Sequence, residues 1–282
     1  MFAIREKLRL SENVFRLVLE APHVATSHKP GQFVVIQLDD EFGERIPLSV
    51  ADVDRAEGTI TLIVQVVGKT SRMLCSLSVG EGVAHVLGPL GHPTHIEKRG
   101  RVVCVGGGIG AAPVFPIARA FKETGAEVIS IIGARSRELV IMEKELSSVS
   151  DKLIVCTDDG SYGRKALVTE PLKELCEQGG VDEVVAIGPP IMMKFCAETT
   201  RPYAIPTVVS LNTIMVDGTG MCGGCRVRVG DEVKFVCVDG PEFDGHLVDF
   251  DLMFKRLGAY KDIEKEKDHQ CRLDSIVPGE GE

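Results

Sequence analysis

The sequence predicts an N-terminal antiparallel β-barrel, then an α/β domain on a parallel sheet, then a C-terminal loop rich in glycine and cysteine. Three observations carry this. Residues 1–97 read as short alternating strands cut by Gly and Pro turns. After Gly100, buried strands alternate with helical stretches. From Val216 to Pro241, glycines and three cysteines crowd a segment with no regular period.

In the first part, Val14–Leu19, Phe33–Leu38 and Thr59–Val67 alternate and are rich in β-branched residues. Lys29-Pro30-Gly31, Glu57-Gly58 and Gly80-Glu81-Gly82 supply turns between strands. Many short strands with few helical periods make a barrel. In the second part, strands are expected at Val102–Val105, Val128–Ile132, Leu153–Cys156, Val184–Ile187 and Thr207–Leu211. Helices are expected at Pro113–Phe121, Pro171–Glu177 and Ile191–Thr199. Alternating β and α implies crossover helices over a parallel sheet. Leu247, Phe250, Phe254 and Leu257 then recur at helical spacing, a stripe to be buried on a partner, on the cysteine loop or on the chain's own core. The charged stretch from Lys261 to the closing PGEGE reads as a loose tail. The expected divisions are 1–97, 98–213, 214–245 and 246–282.

With 282 residues the chain has room for two cores. A net charge of −9 argues against a nucleic-acid surface, which needs clustered Lys and Arg. No apolar run approaches a membrane span, and the start MFAIREKLRL lacks the apolar core of a signal peptide, so the expected compartment is the cytoplasm. The nine cysteines are then not a disulfide framework. Most of the six scattered ones sit in apolar stretches as small core residues, but Cys222, Cys225 and Cys237 crowd together.

Three motifs carry chemistry. Gly106-Gly107-Gly108-Ile109-Gly110-Ala111-Ala112-Pro113 follows a buried strand and opens a helix. Glycines let the backbone approach a pyrophosphate, and the helix offers free N–H groups. Asp158 and Asp159, and Gly188, Pro189 and Met192, fall at the ends of later strands, where ligands of open α/β sheets sit; either loop alone also fits plain turn chemistry. Arg135 and Arg137 end the second strand; they either meet a 2′-phosphate or are solvated. The second motif, in the barrel, is Arg45-Ile46-Pro47-Leu48-Ser49 followed by Gly68-Lys69-Thr70-Ser71. The third is Asp217-x4-Cys222-x2-Cys225-x11-Cys237. Soft thiolates among glycines suit a [2Fe–2S] cluster; zinc or free thiols are the alternatives, and Asp217-Gly218 also fits a plain turn.

Barrel motif, glycine loop and domain order together resemble the ferredoxin–NADP reductase superfamily. The resemblance implies a flavin-binding barrel and a nucleotide-binding α/β domain. It implies that Pro47, Leu48 and Ser49 lie along an FAD with Ser49 facing the ring, that Val64 belongs to the same site, and that Gly68, Lys69, Thr70 and Ser71 hold its pyrophosphate. The family's arginine position is Ile46 here, with Arg45 one residue earlier. With the [2Fe–2S] loop added, the chain is similar to two kinds of subunit. One is the electron-transfer subunit of dihydroorotate dehydrogenase B. The other is the small subunit of NADH-dependent reduced ferredoxin:NADP oxidoreductase, also known as a sulfide dehydrogenase subunit. Asp217 at the first ligand position and the chain continuing past Pro241 favour the second. The resemblance implies hydride exchange between NAD(H), or NADP(H), and FAD, then one-electron transfer through the cluster to a larger subunit. That partner would hold a second flavin and [4Fe–4S] clusters and exchange electrons with ferredoxin. A non-catalytic redox sensor is the rival of another class.

Overall fold

The structure is a computed structural model that describes residues 1–39, 43–260 and 266. The chain opens with β1 (Phe2–Ser11), β2 (Val14–Glu20) and a short helix α1 (Pro22–Ser27). It continues through β3 (Phe33–Gln37), β4 (Arg45–Asp54), β5 (Thr59–Gln65), helix α2 (Lys69–Ser76), β6 (Gly82–Val83) and β7 (His85–Leu90). These strands pair antiparallel in the order β6-β1-β2-β5-β4-β3-β7. The end strands β6 and β7 are joined through Ala84, so the sheet edges meet and the barrel nearly closes. Strand alternation sends Ile4, Leu17, Leu19, Val34, Ile36, Ile60 and Leu62 into its interior, all fully buried.

The second sheet starts with β8 (Arg101–Gly107). A 3-10 turn at Gly108–Gly110 leads into α3 (Ala111–Glu123). Then come β9 (Glu127–Ala134), α4 (Glu143–Val149), β10 (Lys152–Thr157), β11 (Arg164–Lys165), α5 (Thr169–Gln178), β12 (Glu183–Ile187), α6 (Pro190–Thr200) and β13 (Thr207–Ser210). Strands β10-β9-β8-β12-β13 run parallel. Both faces are covered, which is why the central strand reads as an unbroken apolar run, Val102–Val105. Strand order reverses between β8 and β12, and that reversal opens a crevice beyond their carboxyl ends.

The segment expected to be irregular is not wholly so. It contains a hairpin of β14 (Arg226–Val229) and β15 (Glu232–Phe235) and a single turn of helix α7 (Val236–Asp239), and β16 (Glu242–Asp244) follows directly after it. Strand β16 pairs antiparallel with β13, so the chain leaves the sheet after β13 and returns beside it. Helix α8 (Phe250–Leu257) begins three residues later than the apolar spacing suggested. Asp249 caps it by accepting from Leu252 N at 2.9 Å, and Leu247 lies outside it, exposed. The buried face is Phe250 and Met253, packed in one core with Cys225, Val227, Val236 and Cys237. The stripe is therefore covered by the chain's own core. The expected loose tail from Lys261 lies outside the described residues.

Barrel and sheet are joined by α3 against β4, where Arg119 Nη2 donates to Asp52 Oδ1 at 2.8 Å, and by Thr94 Oγ1 donating to Glu242 Oε1 at 2.7 Å. Among the described residues no helix is long and apolar enough to cross a membrane.

Candidate functional site

Strand β4 pairs with β3 without a register break, Phe33 opposite Ser49, Val35 opposite Pro47 and Gln37 opposite Arg45. The two-residue period puts Arg45, Pro47 and Ser49 on one face and turns Ile46 and Leu48 toward the barrel core. Arg45, a residue earlier than the family position, thus shares the face of Ser49. Both side chains are exposed, and Arg45 Nε donates to Gln37 Oε1 at 3.3 Å. Val64 points inward and is buried in the barrel core. Gly68 caps α2. Ser71 Oγ accepts from the N–H groups of Val67 and Gly68, each at 3.0 Å, which fixes the turn. Thr70 Oγ1 donates to Glu44, and Lys69 reaches outward, exposed. A side chain built at Gly68 would meet nothing within 4 Å, so the backbone here is open to a ligand. These groups fit a flavin whose pyrophosphate lies at the N-terminus of α2.

In the second sheet the glycines have separate reasons. A Cβ at Gly110 would lie 2.1 Å from Ile187 O, and one at Gly106 would lie 2.8 Å from Ala111 Cα; close packing of α3 on the sheet requires both. Gly108 is different: its φ is +54°, and a Cβ there would meet nothing within 4 Å. Ile109 is half-buried, Ala111 is buried, and Pro113 sits in the first turn of α3. Across the crevice Gly188, Pro189 and Met192 pack against Gly107, whose Cβ would meet Met192 Sδ at 2.3 Å. A smaller crevice, lined by Gly108, Gly133, Ala134, Leu139 and Val140, continues toward the end of β9. There Arg135 is exposed and its guanidinium has no partner among the described residues. Arg137 stacks over the Tyr162 ring at 5.2 Å. Asp158 is exposed. Asp159 accepts from Ser161 Oγ at 2.6 Å and Ser161 N at 2.9 Å, bonds that hold its carboxyl below the usual range.

The four expected cluster donors fall into two pairs. Asp217 Oδ1 faces Cys222 Sγ at 3.4 Å, and Cys225 Sγ lies 3.2 Å from Cys237 Sγ. Among the described residues no three His, Cys, Asp or Glu side chains converge on one metal position. Two pairs suit two irons better than one zinc, whose four ligands converge tetrahedrally. Asp217 Oδ2 also accepts from Met221 N and Cys222 N, both at 3.0 Å. Partial desolvation works to raise its pKa, but the bonds from Thr219 and Cys222 outweigh it and hold the carboxyl low, so it stands as an anion. Cys225 and Cys237 are buried, and Cys222 is exposed. Burial and the Cys225 thiol push Cys237 up. Gly218 lies against Val35, the cross-strand partner of Pro47. The start of the cysteine loop therefore packs on β3, the strand beside β4.

Several groups escaped the sequence reading. Glu242 is held at the barrel–sheet junction; burial pushes its carboxyl up to about 7, the Thr94 bond opposes this, and Glu183 adds to it. Arg226 and Arg256 donate to the carbonyls of Gly223 and Gly224 inside the cysteine turn. A cleft of about 790 Å³, lined by Arg9, Asn13, Phe15, Val66, Arg72, Ser76 and Leu139 among others, opens beside α2. The Arg256 bond, the Glu242 junction and the cleft have no local sequence signal, because each draws on distant segments; Arg226 lies only three residues from Gly223, but its spacing marks no motif.

Comparison with known proteins places the chain in a family. Residues 1–95 match the family described as oxidoreductase FAD-binding domain. Residues 212–249 match the iron–sulfur cluster binding domain of dihydroorotate dehydrogenase B. The chain is 48% identical over 262 residues to a dihydroorotate dehydrogenase B (NAD(+)) electron transfer subunit homolog of Thermotoga maritima, covering 93% of this chain and 92% of that one. It is 35% identical to the corresponding electron transfer subunit of Geobacillus thermodenitrificans, covering 83% and 92%. Its fold superposes, with a TM-score of 0.92 and 45% identity over 97% of this chain and 98% of the other, on a chain of NADH-dependent reduced ferredoxin-NADP oxidoreductase, solved in a study of flavin-based electron bifurcation. The chain belongs to the family of dihydroorotate dehydrogenase B electron transfer subunits: it is a ferredoxin reductase-like subunit of an NAD(P)H-dependent oxidoreductase, with an FAD-binding and an iron–sulfur-binding domain.

Proposed function

We propose that this chain is the small subunit of a cytoplasmic, transhydrogenase-type ferredoxin:NADP oxidoreductase. When bound, FAD supplies hydride exchange with NAD(H) and the [2Fe–2S] cluster supplies one-electron transfer. The residues position these groups. Arg45, Pro47 and Ser49 face outward along the flavin strand β4, Leu48 and, on the neighbouring β5, Val64 back it from the barrel core, and Gly68–Ser71 present backbone N–H groups to the flavin's pyrophosphate. Gly106–Ala111 and Pro113, with Gly188, Pro189 and Met192 opposite, hold the nucleotide over the crevice, and Arg135, Asp158 and Asp159 rim its adenosine end. Asp217, Cys222, Cys225 and Cys237 hold the cluster beside the flavin strand, on the way to a larger subunit. That subunit carries a second flavin and [4Fe–4S] clusters, binds NADP(H) and exchanges electrons with ferredoxin.

The observation that carries this reading is the carboxylate of Asp217 paired with Cys222 where a four-thiolate loop has its first sulfur. The cytoplasmic assignment is supported by the five described cysteines outside the cluster loop, which are buried singly as core residues. The relatives' names favour a second reading, a subunit serving a dihydroorotate-oxidising partner. Co-purification of the native complex separates the two: a large subunit with a second flavin and [4Fe–4S] clusters is expected, and a dihydroorotate-oxidising subunit would exclude the first. In the isolated chain, excess NADH or NADPH should bleach bound FAD. Gly108→Val, a β-branched residue at φ +54°, should keep FAD and lose the bleaching. A wild-type flavin that stays oxidised under both nucleotides would refute hydride exchange.

A further inference from the structure

Two arginines from different elements hold the peptide groups of the Cys222–Cys225 turn. Arg226 Nη1 donates to Gly223 O at 3.2 Å, and Arg256 Nη2 donates to Gly224 O at 3.0 Å. The peptide unit that carries the Gly223 carbonyl also carries the Gly224 N–H. That N–H donates to Cys222 Sγ at 3.4 Å. For Arg226, guanidinium, peptide dipole and sulfur thus stand in one chain of hydrogen bonds, while Arg256 acts on the turn through its charge. Each bond polarises the next, so a cation on the carbonyl strengthens the N–H at the sulfur.

The surroundings make these two cations matter. The chain has a net charge of −9, and Asp217, Asp231, Glu232 and Asp239 all lie in the same segment. Its lysine, Lys234, is already paired with Glu232. Arg256 is half-buried, so solvent screens it less than a surface charge. It reaches the turn from α8, beyond the 212–249 stretch that matches the iron–sulfur domain, and α8 is anchored by Phe250 and Met253.

We propose that Arg226 and Arg256 are positioning residues that raise the reduction potential of the cluster held by Asp217, Cys222, Cys225 and Cys237. The inference rests on the cluster reading above. Reduction adds one negative charge inside the turn. Nearby positive charge stabilises that state, and a stronger N–H···S bond withdraws electron density from the ligand sulfur. Both effects have the same sign. The guanidiniums thereby make the cluster a better acceptor for electrons leaving the flavin.

The test is an EPR redox titration of the full chain with FAD and cluster in place, comparing wild type, R226Q, R256Q and R228Q. Glutamine keeps an amide donor and removes the charge. Arg228 lies on the same strand but donates no hydrogen bond to the turn, so R228Q controls for net charge. The two glutamine variants are expected to shift the one-electron equilibrium at least tenfold toward the oxidised cluster, a midpoint about 59 mV more negative. R228Q should titrate with the wild type. The inference is overturned if R226Q and R256Q keep the wild-type midpoint or merely match R228Q. It is equally overturned if both fail to assemble a cluster that R228Q assembles, because the arginines then build the turn and do not tune it. A wild-type chain that gives no reducible iron–sulfur signal would instead bring down the cluster reading itself.

Discussion

At the scale of single residues, Asp217 is the position where chemistry and turn geometry meet. Its Oδ2 gathers the loop N–H groups while Oδ1 faces Cys222 Sγ. A carboxylate is a harder ligand than a thiolate and binds iron less covalently. Asp217→Cys is therefore expected to change both the EPR line shape and the midpoint of the cluster. Redox titrations of the two proteins at two pH values check this; identical signals and midpoints would leave Asp217 as a turn residue alone. Spacing made this position legible, since Asp217, Cys222 and Cys225 lie within one short loop. Arg256 was not legible, because helix α8 brings it to Gly224 from a distant part of the chain.

At the scale of elements, α8 shows what periodicity can and cannot tell. Its apolar spacing announced a helix, but Leu247 belongs to the preceding turn and the buried face is Phe250 and Met253. The cap at Asp249 decided the boundary, and a cap depends on local backbone angles that an apolar period does not encode. The hairpin β14–β15 was missed for another reason: its strands span only Arg226–Val229 and Glu232–Phe235, too short to show alternation against a glycine-rich background. Strands β2, β3, β5 and those of the parallel sheet were legible because their apolar runs are dictated by burial on one or both faces, whereas the ten-residue β1 was not, since Ile4 is its one fully buried residue. Phe250 packs with Cys225 and Cys237, whereas the barrel has a core of its own. Phe250→Ala should therefore cost about 3–5 kcal/mol and release the cluster before the flavin. Denaturant unfolding, followed separately by iron–sulfur and flavin absorbance, measures both; simultaneous loss at an unchanged midpoint would contradict it.

For the whole molecule, the contact that joins barrel and sheet through Thr94 and Glu242 has a pH signature. The folded carboxyl is raised by burial to about 7, from 4.5 for the ordinary group. The folded state therefore holds a proton that the unfolded state releases, and stability falls as pH rises from about 4.5 to 7. Glu242→Gln should flatten that part of the profile and raise Tm at pH 8, with little change at pH 4.5. Thermal scans across that range check it; a parallel profile in the variant would remove Glu242 as the cause. The domain order was legible from the sequence, but this junction was not, since it joins a residue after the barrel to one beyond the cysteine loop. The return of the chain to β16 beside β13 has a further consequence. Both ends of the iron–sulfur segment are pinned to neighbouring strands, roughly 4.8 Å apart. The segment is thus spliced into the sheet as a replaceable insert: its residues can change without disturbing the register of the parallel strands beside it.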